Sequence, residues 1–151
     1  MNGAYKKINY ILVDLINEIW ELEEKAIITE EFSDLSNNDM HIIEAIGVED
    51  GDNMSSVAKK RNITVGSLTT AVNHLVKKGY VDRSRGEEDR RIVMIRLTEK
   101  GQKAYWHHAD YHRQMTEAVL EKLDEEELPV LFKMLDALTV FFKDYSQKTN
   151  Q

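Results

Sequence analysis

Apolar positions recur along the chain with two periods, and the change from one to the other falls near residue 80. Between residues 4 and 28, Ile8, Ile11, Leu12, Leu15, Ile19 and Leu22 return every three or four positions, the spacing of one helical face. Tyr5, Val13, Ile16 and Trp20 widen that face beyond a single stripe, so part of it is expected to meet another chain. Residues 25–32 carry the end of this helix and a loop. Ser36 predicts an N-cap for a helix over 37–47, with Asp39 at its positive end and Met40, Ile42, Ile43 and Ile46 toward the core. Residues 47–53 read as a loop. Their acids lack the spacing and closing glutamate of a calcium loop.

Residues 54–98 organise the rest. Ser55 or Ser56 can cap a helix carrying Val57 and Ala58, and Ile63 is expected to plug the angle to the next one. Thr64 caps that second helix, whose buried face is Leu68, Ala71 (or Val72) and Leu75, and Gly79 stops it as a C′ glycine. From there the period is two. Val81 and Arg83 lead into the charged turn 85–89, and Val93, Ile95 and Leu97 then alternate with Arg96. Helix, turn, helix and β-hairpin make a winged helix. Thr98-Glu99-Lys100-Gly101 opens a further helix over 99–123. A last helix begins at the acidic run 124–127, with Pro129 in its first turn, where a missing N–H is harmless. Its stripes, Leu128, Leu131, Phe132, Leu135, Leu138 and Phe142 beside Val130, Met134, Ala137 and Phe141, predict a dimerisation element. The fold expected is mostly α with a small β-hairpin wing and six helices. Residues 1–35 and 104–151 form a helical dimerisation region around a winged helix at 36–103.

Composition narrows the function. With no cysteine among 151 residues, disulfide scaffolds and thiolate chemistry are excluded. No apolar run reaches membrane-spanning length and no signal-peptide core begins the chain, so a cytoplasmic protein is expected. The net charge of −7 argues against a polyanionic partner until it is mapped. Residues 1–58 hold 3 basic and 13 acidic side chains and residues 104–151 hold 5 and 9, whereas residues 59–103 hold 12 and 5. The positive excess lies in the winged helix, where phosphates would need it. The second helix shows a short, hydroxylated, amide-bearing face suited to base edges in a major groove. Ser67, Thr69, Thr70 and Asn73 are the candidate base contacts, with Thr64 and Lys77 on phosphates. Arg90 and Arg91 at the hairpin tip suit phosphates or a narrow minor groove, Asp89 holding Arg91 by a charge-assisted hydrogen bond.

The helix-turn-helix, Gly79-Tyr80, the wing's Asp89-Arg90-Arg91 and Leu97-Thr98-x-x-Gly101 together resemble the MarR family of winged-helix regulators, whose wing signature matches Asp89 and Arg91. The resemblance covers nearly the whole chain, the terminal helices by pattern alone. It implies an intertwined homodimer, a pseudo-palindromic operator with half-sites about one helical turn apart, and repression. Met40-His41 with Glu44, the Thr-Val-Gly-Ser-Leu-Thr-Thr stretch, and His108-x-x-x-His112 with Met115 resemble the FabT-like branch, which represses fatty-acid synthesis with an acyl-chain co-repressor carried on acyl carrier protein. On that resemblance Ile19, Trp20, Met40, Ile43, His108, His112 and Met115 would line the effector pocket. The same residues also read as ordinary core.

A metal competes for this region, and no cofactor is otherwise required. His108 and His112, four apart, share one helical face, and His41 with Glu23 or Glu24 could complete a zinc site of three histidines and one glutamate. Zinc-sensing MarR-type regulators resemble this arrangement, with Glu24 as the chosen carboxylate. Enzymatic function finds no support: there is no glycine-rich phosphate loop, cysteine nucleophile or nucleophile elbow. A winged helix that binds protein rather than DNA is the alternative of another class, and the basic central segment argues against it.

Overall fold

The computed structural model describes residues 2–87 and 89–149, with only the backbone of residues 2 and 146–149, so Glu88 of the expected turn lies outside the described residues. The chain forms two compact units, Met1–His112 and Arg113–Gln151. In the first, α1 (Asn2–Tyr10) runs through a π-helical stretch, Ile11–Leu15, into α2 (Ile16–Ile27). The expected long helix is therefore present, with a π-turn inside it. Its wide apolar face is largely uncovered: Ile8, Ile16, Trp20 and Leu22 are exposed, and α2 buries only Glu23 and Ile27.

α3 (Asn37–Ile46) begins where Ser36 was expected to cap it. Ser36 Oγ accepts from Asp39 N at 3.1 Å, and Asp39 Oδ2 accepts from Ser36 N at 3.0 Å, a reciprocal capping box. The next cap corrects the sequence reading. Asn53, not Ser55 or Ser56, caps α4 (Met54–Lys60), accepting from Ser56 N at 2.9 Å, while Ser56 Oγ donates to Asp52 Oδ2. Nor are residues 47–53 wholly loop, because β1 (Asp52–Asn53) pairs antiparallel with β3 (Val93–Leu97). A two-residue strand is too short for alternation to reveal. The wing is thus part of a three-stranded sheet in the order β1-β3-β2, with β2 (Val81–Arg85) on the other side of β3.

α5 (Val65–Lys77) carries the expected cap at Thr64, which accepts from Ser67 N, and the expected face of Leu68, Val72 and Leu75, all fully buried. Gly79 has φ +80, the left-handed conformation of a C′ glycine. Ile63 does not plug the inter-helix angle, being 37% exposed. The buried side chains of the two helices are instead Met54, Val57 and Ala58 with Leu68, Val72 and Leu75. At the start of β3, Val93 is also exposed, so only Ile95 and Leu97 of the expected apolar set are buried.

α6 (Glu99–Leu120) ends three residues earlier than expected, and α7 (Leu128–Thr149) begins after the acidic run. Glu127 turns back on that run, its Oε2 accepting from Asp124 N at 2.9 Å. Counting residues 2–27 once, the described residues form six α-helices, besides a single 3-10 turn at Glu30–Phe32. None is long and apolar enough to cross a membrane.

Candidate nucleic-acid interface and effector site

The exposed face of α5 presents the residues expected to meet base edges. Ser67, Thr70 and Asn73 are exposed, as are Thr64 and Lys77 at the two ends, while Thr69 is half-buried. The threonine hydroxyl protons are already used. Thr64 Oγ1 donates to Ser67 Oγ at 2.9 Å, Thr69 Oγ1 to Val65 O at 2.7 Å, and Thr70 Oγ1 to Gly66 O at 3.4 Å. The threonines therefore offer acceptor lone pairs and methyl groups, the complement of base amino groups and the thymine methyl.

On the wing, Asp89 supports Arg91 differently from the expectation. Its Oδ1 accepts from the Arg91 backbone N–H at 2.9 Å, while the guanidinium stands 4.0 Å away and is 95% exposed. Asp89 shapes the turn and leaves the arginine free to reach outward, as Arg90 is also exposed. Three other basic residues of the segment are engaged within the protein. Lys60 pairs with Asp52 at 3.0 Å, Lys78 with Asp39 at 3.1 Å, and Lys100 with Asp34 at 3.6 Å. The positive excess read from the sequence thus overstates the charge free for a polyanion.

Where the wing meets α6, the Leu97-Thr98-x-x-Gly101 motif has a mechanical meaning. Thr98 N donates to Tyr80 O at 3.0 Å, Thr98 Oγ1 donates to Gly79 O at 2.6 Å, and Gly101 N donates to Thr98 Oγ1 at 3.1 Å. A Cβ on Gly101 would collide with the Tyr80 carbonyl oxygen. Tyr80 is fully buried, with its hydroxyl donating to Asp34 at 2.7 Å and Lys100 Nζ 4.0 Å from its ring centre. Burial, and then the Asp34 carboxylate, push the phenol above its ordinary range.

A second constellation joins α2, α3 and α6. Glu23 Oε1 lies 3.2 Å from His108 Nε2, 3.1 Å from His112 Nε2 and 3.7 Å from His41 Nε2, and the His108 and His112 Nε2 atoms are 2.9 Å apart. Glu44 Oε2 stands behind, 3.4 Å from His41 Nδ1 and 3.8 Å from His108 Nδ1, so the other ring nitrogens face Glu23. The carboxylate is Glu23, which is buried; Glu24, the candidate chosen from the sequence, is exposed. One helical step of about 100° separates the two, and Glu23 shares its face with Ile27. Burial alone would raise the Glu23 carboxyl. Hydrogen bonds from His108 and Asn37, with charge on His41 and His112, outweigh it and hold Glu23 below the usual carboxylate value. Burial dominates at His108 and lowers its pKa, keeping the ring neutral.

Around a zinc ion with metal–ligand bonds of about 2.0–2.2 Å, tetrahedral ligand atoms stand about 3.3–3.6 Å apart. Three of the four donors, on Glu23, His108 and His112, are already near that spacing, and His41 Nε2 stands 3.7 Å from Glu23. Glu23, His41 and His108 each bring one ligand atom within 4.8 Å of the others, and His112 reaches Glu23 and His108. Trp20 packs edge-on against His41 at 5.9 Å. Of the other expected effector residues, Met40 and Ile43 sit fully buried in the core, Ile19 is exposed, and Met115 belongs to the second unit. Three cavities among the described residues, of about 530, 490 and 320 Å³, are lined by other residues, at the wing and beside the 44–52 segment.

A family model described as the transcriptional regulators SarA/Rot matches residues 23–108, more than half of the chain. Among solved structures, FabT of Streptococcus pneumoniae in complex with DNA aligns with a TM-score of 0.86 at 36% identity, covering 93% of this chain and 99% of that one. The uncharacterized HTH-type transcriptional regulator YhjH of Bacillus subtilis is 27% identical over 145 residues, covering 85% of this chain and 83% of its own. YwhA of the same organism, also an uncharacterized HTH-type transcriptional regulator, is 34% identical over 74 residues, and the chain spans about half of its length. The fold and interface define a winged-helix regulator of MarR type. The chain belongs to the SarA/Rot family of transcriptional regulators.

Proposed function

We propose that the protein is a sequence-specific operator-binding repressor that acts as a homodimer on double-stranded DNA. The observation that carries this reading is the likeness to FabT, itself solved on DNA, over nearly the whole of both chains. It is supported by the exposed hydroxyl and amide face of α5 beside an exposed Arg91. The uncovered apolar faces of residues 2–27 and of α7 would be buried between two copies, giving two recognition helices for a two-fold-related site. The same likeness supports control of fatty-acid biosynthesis genes with an acyl chain as co-repressor, presented by acyl carrier protein. An acyl chain that binds the DNA-competent spacing of the two recognition helices better than other spacings would tighten operator binding.

A second reading is favoured by the Glu23–His41–His108–His112 cluster: a zinc-responsive regulator of the same type. A neutral His108, an anionic Glu23 and Glu44 behind two rings are what a zinc site asks of its ligands and their supports. One experiment separates the readings. Chelator-treated protein is titrated in a gel shift against an operator-bearing duplex, with long-chain acyl carrier protein in one arm and zinc in the other. The acyl reading expects tightening by the acyl ligand alone. The zinc reading expects tightening and a raised Tm with stoichiometric zinc, both abolished in His108→Ala/His112→Ala. If neither ligand moves the curve, both effector readings fall. If no duplex is retarded at all, a protein-binding winged helix replaces the regulator.

A further inference from the structure

We propose that Asp34 is a positioning residue for operator binding: through Tyr80 and Lys100 it fixes how the winged helix is held against the rest of the chain, and so the half-site spacing that a dimer accepts. This deepens the DNA-binding reading above and rests on it.

Tyr80 is the one residue between the glycine that ends α5 and the first residue of β2. Its ring is fully buried, and a phenylalanine would fill the same space; the hydroxyl adds the 2.7 Å bond to Asp34 Oδ1. Lys100, in the first turn of α6, converges on the same point. Its Nζ lies 3.6 Å from Asp34 Oδ2 and 4.0 Å from the Tyr80 ring centre, and it donates to Lys78 O at 3.1 Å. That carbonyl is at the C-terminal end of α5, where the helix dipole favours a cation. Recognition helix, wing and α6 therefore meet in one knot, and Asp34 ties it from the turn before α3.

The place of the knot in the chain gives it a consequence. Two stretches join the winged helix to the apolar faces proposed for dimerisation: residues 28–36, coming from residues 2–27, and α6, leading toward α7. Asp34 lies on the first and Lys100 opens the second, and both close on Tyr80. Asp34 is itself held, because Phe32 and Leu35 beside it are buried and Ser36 caps α3. Burial would raise its carboxyl, but the Tyr80 hydroxyl and the Lys100 charge outweigh that and hold it below the usual carboxylate value. Stability does not account for the arrangement. The Asp34 and Lys100 side chains are 44% and 46% exposed, and pairs so exposed add little to folding free energy. Angle is what such a knot controls. From residue 99 to residue 112, α6 rises about 20 Å, so a tilt of about 10° displaces that end by about 3.5 Å, roughly the rise of one base pair. In a two-fold dimer the second recognition helix would then miss its half-site while the first still docks.

The test is fluorescence anisotropy with a labelled duplex recovered by the wild-type protein from a random-sequence library. Two derivatives are measured beside it, one with a base pair inserted between the half-sites and one carrying a single half-site. Asp34→Ala is expected to lower affinity for the recovered duplex about tenfold, while affinity for the single half-site stays within about twofold of wild type, because the second contact no longer adds to the first. Its preference for the recovered duplex over the inserted one is expected to fall as well. Tyr80→Phe, which keeps the buried ring and removes the bond to Asp34, is expected to shift the same ratios in the same direction. It carries the comparison if Asp34→Ala melts below wild type. Lys103→Ala, which breaks an exposed pair with Glu99 in α6, sets the level of a lost surface contact. Equal losses on the full and single half-site duplexes, or losses no greater than those of Lys103→Ala, overturn the proposal while leaving DNA binding intact. A recovered duplex without two half-sites overturns it too. Failure of the wild type to recover any duplex overturns the DNA-binding reading and the role of Asp34 with it.

Discussion

Gly101 lacks a side chain because the Tyr80 carbonyl occupies the space one would take. Neither partner can yield easily, since Tyr80 O also accepts from Thr98 N and the Tyr80 ring is fully buried. Gly101→Ala is expected to cost about 1–3 kcal/mol, as overpacking does, despite the higher helix propensity of alanine. Thermal unfolding followed by circular dichroism should show Tm lowered by several degrees; a variant as stable as wild type would mean that the junction has slack. The motif is legible in the sequence, but its cause needs the fold. Glu23 shows the converse limit. The apolar face of residues 8–22 is so broad that it does not fix the phase of the helix, and Glu23 and Glu24 cannot be told apart until Ile27 and His108 show which way α2 faces.

At the scale of elements, the second helix of the helix-turn-helix is readable because both of its boundaries carry local chemistry, the Thr64 cap and the positive φ of Gly79. What escapes is pairing distant in sequence. β1 is two residues long, and only its bonds to Ile95 and Met94 make it a strand. The role of Asp89 is hidden for a related reason: a side-chain-to-backbone bond leaves no mark in the pattern of charges. That bond gives the wing its own prediction. Asp89→Asn retains an oxygen for the Arg91 N–H and is expected to bind operator DNA much as wild type does. Asp89→Ala removes the acceptor and is expected to weaken binding several-fold, in line with about 0.5–1.5 kcal/mol for one hydrogen bond. Equal losses in both variants, read by anisotropy on the same duplex, would show that the charge of Asp89 matters and not its turn. Arg91→Ala is expected to lower both affinity and salt slope, because it removes an exposed phosphate-neutralising charge.

For the whole molecule, the exposed apolar surface poses the largest question. On α7, Phe132, Met134, Leu135, Phe141 and Phe142 are all between 45% and 60% exposed, and on residues 2–27 Tyr5, Ile8, Trp20 and Leu22 are more than half exposed. Contiguous patches of this kind are rare on monomers and cost stability in water. The sequence signals them as stripes too many for one small core, which is why the terminal helices are legible as interaction elements although no motif marks them. Two-fold association would bury the same faces from both copies and leave the winged helices outward. Sedimentation equilibrium at micromolar concentration is therefore expected to give twice the chain mass of 17.5 kDa. Phe141→Glu would place an unpaired charge in the buried interface, and it is expected to shift the species toward monomer and to abolish operator binding together with dimerisation. A wild-type protein that sediments at 17.5 kDa while still retarding the duplex would show that one winged helix suffices and that the apolar faces serve some other partner.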